Sequence, residues 1–119
     1  MELKKLTDQE ELIMVSLWRL KKAFVKEIVA DMEKDLHYNT VSTVVRKLEL
    51  KGFIGHEDFG NTHRYYPKIS KESYREFIME RESKKYFDGS IKNMVSYFAV
   101  KEKISQKDLE EILQLIKKD

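Results

Sequence analysis

Residues that interrupt helices are confined almost entirely to one short stretch of this 119-residue chain, and that confinement limits what it can fold into. There are four glycines and one proline. Gly52, Gly55 and Gly60 fall close together, Pro67 follows them, and only Gly89 stands apart. Glycine and proline are the residues least tolerated inside helices. Elsewhere apolar residues recur at helical spacing. The pattern predicts helices, then one β-hairpin, then helices again.

Thr7-Asp8-Gln9-Glu10 is a capping box, in which the threonine oxygen accepts an early helix N–H and the glutamate reaches back. The helix it opens carries Ile13, Met14, Leu17 and Trp18 on one side and ends near Leu20 to Lys22. Ala23-Phe24 reads as a short strand or turn. A second helix follows, with Val25, Ile28, Val29 and Met32 at i, i+3, i+4 and i+7. After a polar break at Lys34 to His37, a third helix runs from Tyr38 to Lys51. Its stripe is Val41, Val44, Val45 and Leu48, and Gly52 suits its left-handed terminal cap. Phe53 to Phe59 and His63 to Pro67 then flank a Gly60-Asn61-Thr62 tip, the signature of a hairpin.

Ser70 to Asp119 reads as three more helices. Ser70 caps one that carries Tyr74, Phe77 and Ile78, and Asp88-Gly89-Ser90 breaks it. The next places Ile91, Met94, Val95 and Phe98 on one face. Ser105 caps the last, with Asp108 at the box position and Leu109, Ile112, Leu113 and Ile116 as its stripe.

Two helices joined by a short break and followed by a hairpin is the order of a winged helix-turn-helix, whose second paired helix reads the major groove. The expected fold is mostly α with a small β-hairpin. It comprises a winged-helix DNA-binding domain over 1–69 and a helical dimerisation domain over 70–119. The boundary rests on the change of architecture, since no flexible linker separates the two. At about 100° per residue, the third helix turns Asn39, Thr43, Arg46 and Leu50 away from its apolar stripe, with Ser42 and Lys47 flanking. Asn pairs with adenine, Arg with guanine, and Thr reaches a base edge or a thymine methyl. Asn39, Thr40 and Thr43 lie in the first turns, nearest to bases, whereas Arg46, Lys47 and Lys51 suit phosphates. The hairpin adds Asn61, Thr62, His63 and Arg64. Glu57 and Asp58 oppose close phosphate approach there.

Charge neither demands nor forbids such a partner: 37% of residues are charged, yet the formal net charge is +2. Cysteine is absent, which excludes disulfides, thiolate metal sites and cysteine nucleophiles and fits a cytoplasmic protein. The longest uncharged apolar stretch, Leu12 to Trp18, is too short to span a bilayer, so no membrane insertion is expected. The scattered serines assemble no nucleophile, base and orienter, so no enzyme and no cofactor are expected. His56 and His63 can face each other across the hairpin and hold a metal with Glu57 or Asp58. Their spacing is not that of a characteristic ligand set, and surface or DNA-facing histidines without a metal are the better explanation. Trp18, Tyr74 and the phenylalanines suit core packing, the alternative being the pocket of a small-molecule-responsive winged-helix regulator. A winged helix that binds only protein is a third reading.

Several segments together resemble the penicillinase repressor (BlaI/MecI/CopY) family. They are Leu6-Thr7-x-x-Glu10-x-x-Ile13-Met14-x-x-Leu17-Trp18, Thr40-Val41-x-Thr43-x-x-x-x-Leu48-x-x-Lys51-Gly52, and the hairpin exit Arg64-Tyr65-Tyr66-Pro67. Tyr74, Phe87-x-Gly89-Ser90, Met94-Val95 and Ser105-x-x-x-Leu109 continue the match over nearly the whole chain. The resemblance implies a bacterial homodimeric repressor whose winged helix binds a two-fold-symmetric operator and whose C-terminal helices make the dimer. In the family's β-lactam-responsive branch, a membrane-bound sensor metalloprotease triggers repressor cleavage, usually between Asn and Phe. The aligned pair here is Tyr97-Phe98. The copper branch senses metal through cysteines this chain lacks. Asn39 stands where family members often have Thr or Lys, which implies a different operator sequence.

Dimerisation also has a physical rationale. Three apolar stripes after Ser70 exceed what one short helical tail can bury, and a two-fold partner would cover them. It would couple two weak half-site contacts through a high effective concentration. Anything that splits the dimer then removes most of the operator affinity while each winged helix stays folded.

Overall fold

The computed structural model describes residues 3–117, so the outermost ends of both expected domains lie outside the described residues. The element order is α1 (Asp8–Leu20), β1 (Ala23–Phe24), α2 (Val25–Asp31), α3 (Tyr38–Leu50), β2 (Ile54–Phe59), β3 (Thr62–Pro67), α4 (Lys71–Phe87), α5 (Ile91–Lys101) and α6 (Gln106–Lys117). The chain forms two compact units, Met1–Phe77 and Ile78–Asp119.

In the first unit local chemistry sets the helix ends. Glu10 N–H donates to Thr7 Oγ1 at 3.2 Å, and Thr7 N–H donates to Glu10 Oε1 at 2.8 Å, closing the capping box of α1. Glu27 accepts the Phe24 N–H at the start of α2 (2.9 Å), and His37 Nδ1 accepts the Asn39 N–H at the start of α3 (3.1 Å). Gly52, at φ 83°, ends α3: its N–H reaches Glu49 O and the Phe53 N–H reaches Leu48 O, each at 3.0 Å. That pairing is a Schellman motif, and the positive φ is why glycine stands there.

The sheet is antiparallel, in the order β1-β3-β2. Ala23-Phe24 is therefore a strand, and it pairs with Tyr65 and Arg64. Residue alternation gives the hairpin two faces. His56, Asp58, His63 and Tyr65 share one; Gly55, Glu57, Arg64 and Tyr66 share the other. A Cβ on Gly55 would lie 2.7 Å from the Tyr66 hydroxyl, so only glycine lets that ring cross the strand.

Ile13, Met14 and Leu17 of α1, Ile28 of α2, Val41, Val45 and Leu48 of α3, and Phe53 and Ile54 are all buried. Tyr74 joins them. Its ring lies 6.0 Å from Trp18 and 5.8 Å from Phe53, centroid to centroid. Its hydroxyl accepts the Leu6 N–H at 2.9 Å and donates to Glu11 at 2.7 Å. Burial, reinforced by Glu10 and Glu11, pushes that hydroxyl up to about 12. Trp18 Nε1 donates to Ile69 O at 2.9 Å. The aromatic cluster is thus packed core rather than the lining of a ligand pocket. Tyr74, expected on a dimer stripe, belongs instead to the core of the first unit, with Phe77 against it (6.1 Å). The two compact units divide within α4, between Phe77 and Ile78.

The second unit holds the rest of α4 with α5 and α6. Ser70, Ser90 and Ser105 cap the three helices by accepting the N–H groups of Ser73, Asn93 and Asp108 at 3.0–3.1 Å. Asp88 (φ 51°) and Gly89 (φ 81°) break the chain between α4 and α5. No residue of α5 or α6 is buried. Ile91, Val95, Phe98, Leu109, Ile112, Leu113 and Ile116 are each at least 40% exposed, and Met94 is half-buried. None of the described helices is long and apolar enough to cross a membrane.

Candidate nucleic-acid interface

The strict division of α3 into two sides follows from its sequence. Val41, Val44, Val45 and Leu48 are buried, whereas Asn39, Thr43, Arg46, Lys47 and Leu50 are exposed and Thr40 and Ser42 half-buried. Thr43 donates its hydroxyl proton to Asn39 O at 2.9 Å, which fixes its rotamer and leaves its oxygen lone pairs available. Arg46 Nε donates to Ser42 O at 3.3 Å, a bond that steadies the guanidinium without consuming its terminal donors. The outer side of α3 thus carries an amide, a hydroxyl and two cations, groups able to contact base edges and phosphates.

Lys51 is placed differently from expectation. Its ammonium bonds both carboxylate oxygens of Glu10, at 2.7 and 2.9 Å, and Glu10 is only 3% exposed. Burial disfavours the Glu10 charge, yet the Lys51 and Thr7 hydrogen bonds outweigh it and hold the carboxyl below its ordinary value. Lys51 therefore clamps the end of α3 to the start of α1, with two of its three ammonium donors on Glu10. Glu10, read from the sequence as a cap alone, serves two partners.

The hairpin separates the expected residues further. Asn61 and Thr62 are exposed at the tip, where Thr62 Oγ1 donates to Phe59 O at 2.9 Å. Ser42, Asn61, Thr62 and His63 border one open cleft of about 620 Å³, together with Tyr38 and Lys26. Those last two were not among the residues expected there. Tyr38 is a half-exposed aromatic at the first position of the reading helix, which was the available signal. Arg64 lies on the opposite face of the hairpin, its guanidinium 6.0 Å from the Phe59 ring. There Phe24 stacks edge-on against Phe59 (5.6 Å) and Lys22 pairs with Glu57 at 2.8 Å, which lowers the Glu57 carboxyl.

On the His63 face, His63 Nδ1 lies 2.9 Å and His56 Nε2 3.4 Å from Asp58 Oδ1. The imidazole centroids are 4.2 Å apart. His56 Nδ1 meets Glu49 Oε2, near the end of α3, at 2.5 Å. That hydrogen bond, with the Glu49 and Asp58 charges, raises His56 above its ordinary value against a smaller desolvation effect. Asp58, not Glu57, is the carboxylate that joins the two histidines, and these three offer ligand atoms within 4.8 Å of one another.

Comparison with known proteins bears on the same residues. The penicillinase repressor family profile matches residues 6–118. The methicillin resistance regulatory protein MecI of Staphylococcus aureus (strain N315) is 26% identical over 108 residues, spanning 89% of this chain and 88% of that protein. The penicillinase repressor of Bacillus licheniformis is 22% identical over 113 residues, 93% of this chain and 88% of that protein. Among solved structures, the DNA-binding domain of the repressor BlaI superposes with a TM-score of 0.54 at 21% identity, covering 61% of this chain and 92% of that domain. Bordetella bronchiseptica BpsR superposes at 0.51 with 14% identity, covering 97% of this chain and 75% of that one. At such identities the structural likenesses show the fold, a winged helix; the sequence match carries the kinship. The chain belongs to the penicillinase repressor family, a family of DNA-binding transcriptional repressors and not of enzymes.

Proposed function

We propose that this chain represses transcription as a cytoplasmic homodimer that places one α3 in each half of a two-fold-symmetric DNA operator. The observation that carries this reading is the exposure of Asn39, Thr43, Arg46 and Lys47 on a helix whose other side is sealed by Val41, Val44, Val45 and Leu48. Asn39, Thr40 and Thr43 read bases, Arg46 and Lys47 contact phosphates, and Asn61 and Thr62 reach the flanking backbone. Ser42 and His63 border the cleft between helix and hairpin. Ile91, Met94, Val95, Phe98, Leu109, Ile112, Leu113 and Ile116 are the surface a second copy covers. Derepression follows from loss of that surface, and cleavage of the Tyr97–Phe98 bond by a membrane-bound sensor metalloprotease is one route to it.

Fragments of genomic DNA selected by the full-length protein, then titrated at several salt concentrations, test the reading. Arg46→Ala is expected to lower the salt slope by about one unit. Asn39→Ala and Thr43→Ala relax base preference, at about 1–3 kcal/mol per good contact. An unchanged sequence preference in those two variants removes the reader assignment, and no attraction to duplexes at low ionic strength removes the function. A chain ending at residue 97 that bound the operator as tightly as the full protein would refute the dimer switch.

A further inference from the structure

The hairpin face that turns toward the end of α3 carries a cluster whose chemistry goes beyond contact with DNA. The geometry points to a divalent transition-metal site of the zinc class, built from His56 Nε2, Asp58 Oδ1 and His63 Nδ1, with Glu49 as the residue that positions His56.

Tetrahedral ligands about 2.0–2.1 Å from zinc lie about 3.3–3.4 Å from one another. The Asp58 oxygen is 3.4 Å from His56 Nε2 and 2.9 Å from His63 Nδ1, and each of the three residues offers a ligand atom within 4.8 Å of the others'. Strand register produces this without strain: His56 and Asp58 are alternate residues of β2, and Asp58 is paired directly with His63 of β3. Glu49 bonds the other nitrogen of His56, Nδ1. A carboxylate on the far imidazole nitrogen is the usual outer partner of a metal-bound histidine, because it fixes the tautomer that leaves Nε2 free and makes it more basic. Glu49 comes from a different element, so the metal would join both strands and, through His56, the end of α3. Two imidazoles and one carboxylate favour zinc, cobalt, nickel or copper over the oxygen-seeking magnesium and calcium. Asp58 and His63 are exposed and His56 is half-buried, so a fourth position remains for water.

Tag-free full-length protein titrated with Co²⁺ is the direct test. One ion per chain with the strong visible bands of tetrahedral cobalt, displaced by Zn²⁺ and not by Mg²⁺, is expected. His63→Ala and Asp58→Asn should abolish the bands while leaving the far-ultraviolet circular dichroism intact, since both side chains lie on the surface. Glu49→Gln keeps all three ligands and should weaken binding roughly 10- to 100-fold. Glu57→Gln, on the opposite face of β2, should change nothing. Cobalt that stays octahedral, or wild-type affinity in His63→Ala and Asp58→Asn, overturns the site. Wild-type affinity in Glu49→Gln overturns the positioning role.

Discussion

The two units of this chain solve the burial problem in opposite ways. The first closes on itself: α1, α2 and α3 bury their stripes against one another and the sheet, and Tyr74 of α4 seals the aromatic end. The second has equally regular, well-capped helices, yet no residue of α5 or α6 is buried. Good local signals therefore make a helix without making a core. An isolated helix of about a dozen residues is marginal in water, and tertiary packing supplies most of its stability. The first unit contains that packing. In the proposed dimer, the second obtains it from another copy.

The comparison breaks most plainly in the first core. Phe53 is 2% exposed and touches Tyr74. Phe53→Ala should cost about 3–5 kcal/mol, the usual penalty for an aromatic-to-alanine change in a core. Denaturant titration should give the same loss at every protein concentration. A loss that varied with protein concentration would mean that the first unit, too, depends on a partner.

Ile112→Asp asks the converse question. Ile112 is 41% exposed on the α6 stripe, and a carboxylate costs little there in a lone chain. At a dimer seam it would be buried without a partner. Dissociation should rise by about 30- to 1000-fold, corresponding to the 2–4 kcal/mol typical of interface hot spots. Sedimentation reads that change, while the unfolding midpoint of the first unit should stay put. An unchanged dissociation constant places the seam elsewhere.

Contrast in legibility follows the same division. Elements and caps were readable throughout, because Thr7 with Glu10, Ser90 and Ser105 act over three residues. The exposed side of α3 was readable because a buried stripe at 3.6-residue spacing dictates its opposite. What escaped depends on distant partners. Nothing near Lys51 announces that Glu10, 41 residues earlier, takes its charge. Tyr74 and Phe77 share the spacing of Ile78, yet Tyr74 packs on α1 and the segment after α3. Periodicity says which side of a helix is buried and is silent on what buries it. Asp58 rather than Glu57 joins the histidines because strand register, not composition, chooses the face.

The Glu10–Lys51 pair sharpens the comparison with pH. Lys51→Met leaves the Glu10 carboxylate buried without its counterion, at a cost of about 1–3 kcal/mol near neutrality. The folded-state pKa of Glu10 lies below its ordinary value, so the pair's contribution is fully present above that value. It is lost as pH falls through the lowered one. The wild-type advantage over Lys51→Met should therefore be constant around neutrality and close in acid. An advantage that persisted unchanged through the carboxylate range would assign Lys51 a packing role instead.

The smallest effects come from the caps, and they separate the units most cleanly because the two bonds are nearly alike. Thr7 accepts the Glu10 N–H at 3.2 Å, and Ser90 accepts the Asn93 N–H at 3.1 Å. Removing such a cap costs about 1 kcal/mol. In the first unit that loss falls on a self-contained core, so Thr7→Ala should lower the unfolding midpoint equally at all concentrations. In the proposed dimer, the loss in the second unit falls on a helix held by the other copy, so Ser90→Ala should raise dimer dissociation about fivefold for each cap removed. Its effect on unfolding should be absent in dilute solution, where monomer dominates, and grow to its full size as the protein is concentrated and the dimer is driven to saturation. If Ser90→Ala instead shifted the midpoint without any concentration dependence, α5 would owe its stability to its own chain, and the two units would differ in composition rather than in how they are stabilised.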